Sequence, residues 1–353
     1  MKIVGLMSGS SLDGVDIALC RFDGLGDNIE WEILKAKTYQ YPVEWKKRLE
    51  KIHSCTVEEF SIIDYHIGYL YGDMVKEFLD GEKVDYIASH GHTVFHFPDK
   101  SVTCQIGNGA AIAVKSGIST ICDFRSSDVG LGGQGAPLAS LIDRQLFSEY
   151  GALVNLGGIS NISFNMPKGT IGYDISPCNQ LLNHIVSEIG MDYDIDGIMA
   201  SKGKVDKDLL NSLLDFDYFS DTYPKSLDNS FIKASFFPIL DNSKLSIEDK
   251  LSTSVELIAQ TLSIELKRNL KNDLISNKVL ITGGGANNIF LIEKIKQYNE
   301  NNVIIVPDRM IVDYKESLLM AYMGYLRIIE KPNVLSSTTG AKRDSISGAV
   351  YII

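Results

Sequence analysis

One short pattern occurs twice in this chain: an apolar strand, a turn rich in Gly, Ser and Asn, and a second strand. It runs from Ile3 to Phe22 around GLMSGSSLDGVD, and again from Ala152 to Asn165 around NLGGISN. Glycine at a strand end weakens the strand unless the backbone there must turn sharply or lie close to something else. Its recurrence in both halves predicts two similarly built domains rather than one continuous core. A length of 353 residues agrees with two domains.

Apolar runs bounded by Gly, Asp and Ser predict further strands at Val84 to Ser89, Ser119 to Phe124, Lys278 to Thr282 and Val303 to Val306. Helical periodicity lies between them. Thr56 and Glu59 form a capping box before a stripe of Phe60, Ile63, Ile67, Leu70, Met74 and Phe78. Ser246 and Asp249 open a second helix, with Leu251, Val255, Ile258, Leu262 and Leu266 as its stripe. Strands and helices mixed in this way predict an α/β fold with covered sheets. A helix from Pro137 to Tyr150 precedes the best boundary, near Gly151, so the expected domains are 1–150 and 151–353.

Lys and Arg number 34 against 45 Asp and Glu, a formal charge of −11, with no basic block. That balance argues against nucleic acid, which needs clustered cations, but not against a nucleotide held by backbone N–H groups and a metal ion. Cys20, Cys55, Cys104, Cys122 and Cys178 show no paired spacing and suggest reduced thiols in a cytoplasmic setting. Asp13 and Asp16 follow the first apolar stretch closely, which disfavours a signal peptide, and no run is long enough for a membrane helix.

The segment from Gly5 to Asp16 sets three glycines, three serines and two aspartates between two strands. Such a loop can turn N–H groups and hydroxyls towards an anion, or it can satisfy its own backbone as a polar hairpin. Gly157 and Gly158 end a second strand, and Gly283, Gly284 and Gly285 end a third before a helix starting near Ile289. Three such turns point to a nucleotide, although neither a Walker A loop nor a G-x-G-x-x-G is present. Asp174 in GYDISPCN sits between a short strand and a helix, where a carboxylate can serve as a general base or as a helix cap. Arg125 could grip a carboxylate or sugar hydroxyls, or pair with Asp123 or Asp128. In SHGHTVFH the glycine and threonine read as a turn, and His90 is better suited to hydrogen bonding a polar ligand than His90, His92 and His96 are to a metal. No metal ligand set is assigned.

Taken together, GLMSGSSLDGVD, SHGHTVFH, QIGNGAAIA, DFRSSDVGLGGQGAPL, NLGGISN, YDIDG, PKS, ITGGGANN, the stretch from Asp313 to Glu316 and TTGA resemble the anhydro-N-acetylmuramic acid kinase family, nearly end to end. The resemblance implies two actin-like, ribonuclease H-like domains around an interdomain nucleotide cleft, with ATP and Mg²⁺. It implies a first phosphate loop of Gly9, Ser10, Ser11, Leu12, Asp13, Gly14, Val15 and Asp16 in the N-terminal domain. The C-terminal domain would carry the second phosphate loop at Gly157 and Gly158, the catalytic Asp174, and the adenosine loop at Gly283 to Gly285. His90, Arg125 and Glu316 match sugar contacts, and Asp174 matches the base that activates water at C1 while O6 takes the γ-phosphate. The product would be N-acetylmuramic acid 6-phosphate, and a homodimer fits the resemblance.

The chain departs from the family pattern on the acceptor side. Asp174-Ile175-Ser176-Pro177-Cys178-Asn179 stands where the family usually has D-T-G-P-G-N, so side chains are expected to fill space that glycine leaves to a ligand. After Pro224-Lys225-Ser226 come Leu227, Asp228, Asn229 and Ser230 in place of T-G-R-E, with loss of a cation. His92 replaces a usual glutamine, and Ser10 a threonine. A related sugar kinase with another acceptor, or a nucleotide-binding paralogue with little catalysis, are the alternative readings.

Overall fold

The computed structural model describes residues 1–9, 12, 14–166, 169–269 and 275–353. They form two compact units, Met1–Leu146 with Tyr314–Ile353, and Phe147–Asp313. The strands are β1 (Lys2–Ser8), β2 (Val15–Asp23), β3 (Glu30–Tyr39), β4 (Tyr86–Phe97), β5 (Val102–Ile106), β6 (Thr120–Cys122), β7 (Ala152–Leu156), β8 (Ile159–Met166), β9 (Gly169–Pro177), β10 (Lys278–Thr282), β11 (Val303–Ile305) and β12 (Ala349–Tyr351).

In the first unit the sheet runs β3-β2-β1-β4-β6-β12, with β5 paired to β4. The β1-β2-β3 meander is antiparallel, while β4 lies parallel to β1 and β6 parallel to β4. Alternation decides the two faces. Val4, Leu6, Ile17 and Leu19 meet Ile67, Tyr71, Val75 and Phe78 of the helix Val57–Leu79 in one core. That helix begins with the expected capping box, Thr56 and Glu59 each bonding the other's backbone. On the opposite face Gly5 and Ala88 leave room for the helix Arg309–Ile328, whose Ser317, Ala321 and Gly324 lie against them. Phe22 packs on Tyr322 and Tyr325 of that helix, with ring centroids 5.4 and 5.3 Å apart.

These contacts place residues 314–353 with the first unit, not with 151–353 as the sequence suggests. A sheet buried on both faces needs a second covering helix, and β12 adds an antiparallel edge beside β6. At the other edge β3 is half polar and carries no continuous apolar run. Arg21 pairs there with Glu32 at 2.8 Å across the ladder, and edge charge of this kind discourages further pairing.

In the second unit the order is β9-β8-β7-β10-β11, again an antiparallel meander followed by two parallel strands. Ala152, Val154 and Leu156 face a core made with the helices Asn179–Ser187, Ile247–Asn269 and Ile289–Tyr298. Each unit thus carries the same five-strand ribonuclease H-like arrangement, and the duplicated hairpins are its first two strands. Two expectations differ in detail. The helix predicted from Pro137 to Tyr150 is confined to Ser140–Gln145. Gly91 is not in a turn but inside β4, at φ 74°, where any Cβ would lie 2.5 Å from the Ile106 carbonyl oxygen.

Candidate functional site

In the first unit the loop from Gly9 to Gly14 joins β1 to β2, which are in register from Ser8 and Val15 outward. Ser10, Ser11 and Asp13 lie outside the described residues. Leu12 has φ 60°, and a Cβ on Gly14 would strike the Tyr39 backbone, so Gly14 lies tight against the end of β3. Val15 is fully buried and anchors the returning strand. Asp16 accepts the Thr38 hydroxyl at 2.6 Å, and its carbonyl accepts the Ser317 hydroxyl at 2.9 Å. Behind the loop, Ser8 is bonded to Tyr41 at 2.7 Å and to His92 Nδ1 at 3.2 Å, and Tyr41 to Tyr71 at 2.6 Å. Burial holds His92 below its ordinary pKa. His96 lies apart, bonded to Thr103 at 3.0 Å.

His90 and Arg125 come together. Arg125 Nε donates to His90 Nε2 at 2.9 Å, and Nη1 to the Gly135 carbonyl at 2.6 Å. Because Nε2 accepts, His90 must donate from Nδ1 to the Gly91 carbonyl, 3.0 Å away. Burial, helped by the adjacent guanidinium, pushes the His90 pKa down to about 3, so the ring is a neutral acceptor. Arg125 pairs with neither aspartate weighed as a partner. Asp128 is fully buried and taken up by the Gly135 N–H at 2.8 Å and the Thr339 hydroxyl at 2.7 Å, while Asp123 accepts the Ser126 N–H at 3.2 Å. The charge that Arg125 does feel is Glu316. Solvent reaches the Glu316 side chain, yet surrounding protein raises its pKa first and Asp16 raises it further, against Lys315 and Arg125. His90, Arg125, Glu316 and Asp16 therefore form one polar group within this unit.

In the second unit Gly157 and Gly158 turn β7 into β8. Their carbonyls accept the N–H groups of Cys178, Asn179 and Gln180 at 2.9 to 3.1 Å and so cap the helix Asn179–Ser187. The N–H groups of Gly157 and Gly158 have no protein acceptor among the described residues. Gly283 has φ 82°, and Cβ atoms on Gly283 or Gly285 would press on Asn155, Leu156 and Asn179. Packing of turn against turn accounts for those two glycines. At Gly284 the nearest atom to an added Cβ is Asn179 Nδ2 at 3.6 Å, so packing alone does not demand glycine there. Asn288 caps the helix Ile289–Tyr298 through the Leu291 N–H at 2.9 Å.

Asp174 lies in β9, which leads into the helix Asn179–Ser187. Oδ2 accepts the Leu227 N–H at 2.9 Å, and its backbone carbonyl accepts the Tyr218 hydroxyl at 2.6 Å. Burial raises the carboxyl above its ordinary pKa, with the Leu227 bond opposing. The side chains expected to crowd it turn away. Ile175 and Cys178 belong to the core, and Ser176 is fully buried on Ser160, with the two hydroxyls 3.0 Å apart. Downstream, Leu227 packs on the core, Asp228 caps the helix Asn229–Asn242, and Asn229 accepts from Gln180 at 2.6 Å. Tyr218 and the Leu227 N–H were not found from sequence, since neither belongs to a motif with a chemical signature.

A doubled ribonuclease H-like sheet, with a glycine-rich turn at the first hairpin of each copy, defines a protein of the actin-like class. Within it the chain belongs to the anhydro-N-acetylmuramic acid kinase family, which it matches over residues 1–353, and is thereby a kinase. The anhydro-N-acetylmuramic acid kinase of Aliivibrio fischeri is 33% identical over 371 residues, covering 99% of each chain. That of a Sulfurovum species is 34% identical over 368 residues, with the same coverage. Among solved structures, the activator of 2-hydroxyisocaproyl-CoA dehydratase from Clostridium difficile, with bound ADPNP, is 17% identical with a TM-score of 0.45, covering 94% of this chain and 96% of that one.

Proposed function

We propose that the chain uses ATP to phosphorylate O6 of 1,6-anhydro-N-acetylmuramic acid while water opens the anhydro bridge, giving N-acetylmuramic acid 6-phosphate and ADP. The observation that carries the reading is Asp174: one carboxylate oxygen is fixed by the Leu227 N–H, and the other has no protein partner among the described residues. A carboxylate with pKa raised by burial is a stronger base than one in water, and suits removing a proton from water at C1. Neutral His90 would accept a sugar hydroxyl only by releasing Arg125, so Arg125 and Glu316 are the sugar-facing groups and His90 orients the guanidinium. By the resemblance, Gly9 to Asp16 and Gly157–Gly158 would serve as phosphate loops and Gly283 to Gly285 as the adenosine loop.

Mg²⁺ is taken by one or two carboxylates together with phosphate oxygens and water. Asp16, whose charge raises the Glu316 pKa, would be the carboxylate of this group that takes the ion, leaving Glu316 to the sugar. When bound, the ion would neutralise charge on the transferring phosphoryl group. Among the described residues no helix is long and apolar enough to cross a membrane. The test is ADP release with the anhydro sugar, with mass analysis of the product. A phosphorylated sugar that has gained one water is expected, and Asp174→Asn should lose turnover by about a hundredfold or more. ADP release that no sugar stimulates, or full turnover in the variant, refutes the proposal.

A further inference from the structure

The geometry points to Tyr218, Lys225 and Glu265 as positioning residues for the Asp174 carboxylate, an inference that rests on the base role proposed above. Asp174 is held twice, by the Tyr218 hydroxyl on its carbonyl at 2.6 Å and by the Leu227 N–H on Oδ2 at 2.9 Å. Both donors come from one stretch of chain, residues 218–227, so the placement of that stretch sets both the peptide and the carboxylate. Beyond the short 3-10 turn Asp217–Phe219 the stretch belongs to no helix or strand. Side chains hold it instead.

Lys225 Nζ pairs with Glu265 at 2.9 Å, with the two side chains only 4% and 6% exposed. The same ammonium donates to the Tyr218 carbonyl at 3.3 Å and lies over the Tyr218 ring, 4.8 Å from its centroid. Glu265 also accepts the hydroxyl of Tyr173, the residue before Asp174, at 2.9 Å. Arg268, one turn on, donates to Glu265 at 3.0 Å and to the Phe219 and Asp221 carbonyls at 3.2 and 3.3 Å. Glu265 belongs to the helix Ile247–Asn269, which is buried along most of its length. A chain of directional contacts therefore runs from a rigid helix, through a buried ion pair, to the backbone and carboxylate of Asp174.

A buried ion pair contributes little net stability compared with apolar side chains of similar size, because desolvation offsets the attraction. What it adds is direction. A segment without a hydrogen-bonded ladder gains a fixed geometry from Lys225 and Glu265 that packing of Leu227 alone does not impose, and a displacement of about 1 Å at a reacting group can cost a hundredfold in rate. The segment supplies the Leu227 bond that favours the ionised carboxylate, so loosening it raises the Asp174 pKa further. Among the described residues, the polar groups facing that carboxyl are the Leu227 N–H and the nearby Tyr218 phenol.

The test is Tyr218→Phe in the full chain, which keeps the ring and removes the donor. We expect kcat to fall about tenfold, KM for ATP and sugar to stay within about twofold, Tm to hold, and the acid limb of kcat to move to higher pH. Glu265→Gln, read in the same four measurements, covers the case in which the first variant does not accumulate. Wild-type kcat with an unmoved acid limb, or a loss of kcat that merely tracks a loss of Tm, overturns the inference and leaves the base role standing. Full turnover in Asp174→Asn removes the base role and the inference with it.

Discussion

Gly5→Ala isolates the coupling between the first strand and the C-terminal helix. Gly5 sits in the middle of β1, and an added Cβ would overlap the Ser317 carbonyl oxygen and stand 2.9 Å from the Ala321 N. Both atoms are helix backbone, so no side chain can swing aside, and the helix must retreat by on the order of 1 Å. Overpacking of this kind costs about 1–3 kcal/mol, or a fall in Tm of roughly 3–10 °C for a unit of this size. The displacement also reaches the polar group. Ser317 bonds the Asp16 carbonyl at 2.9 Å, and Glu316 precedes it. A shift of that size should lower kcat/KM for the sugar about ten- to hundredfold, beyond what the unfolded fraction explains. Calorimetry and a coupled ADP-release assay on the same sample separate the two effects. Gly130→Ala is the control, since a Cβ there meets nothing within 4 Å. If Gly5→Ala matches wild type in Tm and kcat/KM, the close approach of helix to strand is not as described.

Other outcomes follow from single groups. Burial raises the folded-state pKa of Asp174, so its favourable contribution to stability is present below the unfolded pKa and is lost as pH rises through the folded one. Asp174→Asn should therefore be more stable than wild type at neutral pH and equal to it in acid, and denaturant titrations at the two pH values would show it. His90, with a pKa of about 3, should stay neutral between pH 5 and 8 with the proton on Nδ1. Nitrogen-15 NMR of labelled histidine would contradict this if the ring titrates near 6.5. Thr339→Val removes one of two bonds to the fully buried Asp128 carboxylate and should cost about 1.5–3 kcal/mol, seen as a lower urea midpoint.

Much of this protein is decided locally, and so can be read from the order of residues. The capping box at Thr56 and the stripe behind it specify the helix Val57–Leu79, since hydrogen bonds and periodicity within a few residues suffice. The duplicated hairpins appear because glycine is needed where a strand must reverse close to other backbone, as at Gly14 against Tyr39. What sequence could not supply is which distant pieces meet. Nothing in residues 314–353 says that they cover the first sheet; the small side chains at Gly5 and Ala88 permit it only once both are folded. Arg125 stands between two aspartates in the chain yet binds His90 and Gly135, because Asp128 is taken by a threonine 211 residues away. Ile175, Ser176 and Cys178 sit beside Asp174 in sequence but point into the core, while its actual partners come from residues 218 and 227. Short-range patterns thus choose the elements. Long-range packing and competition for hydrogen-bond donors choose which side chains face one another.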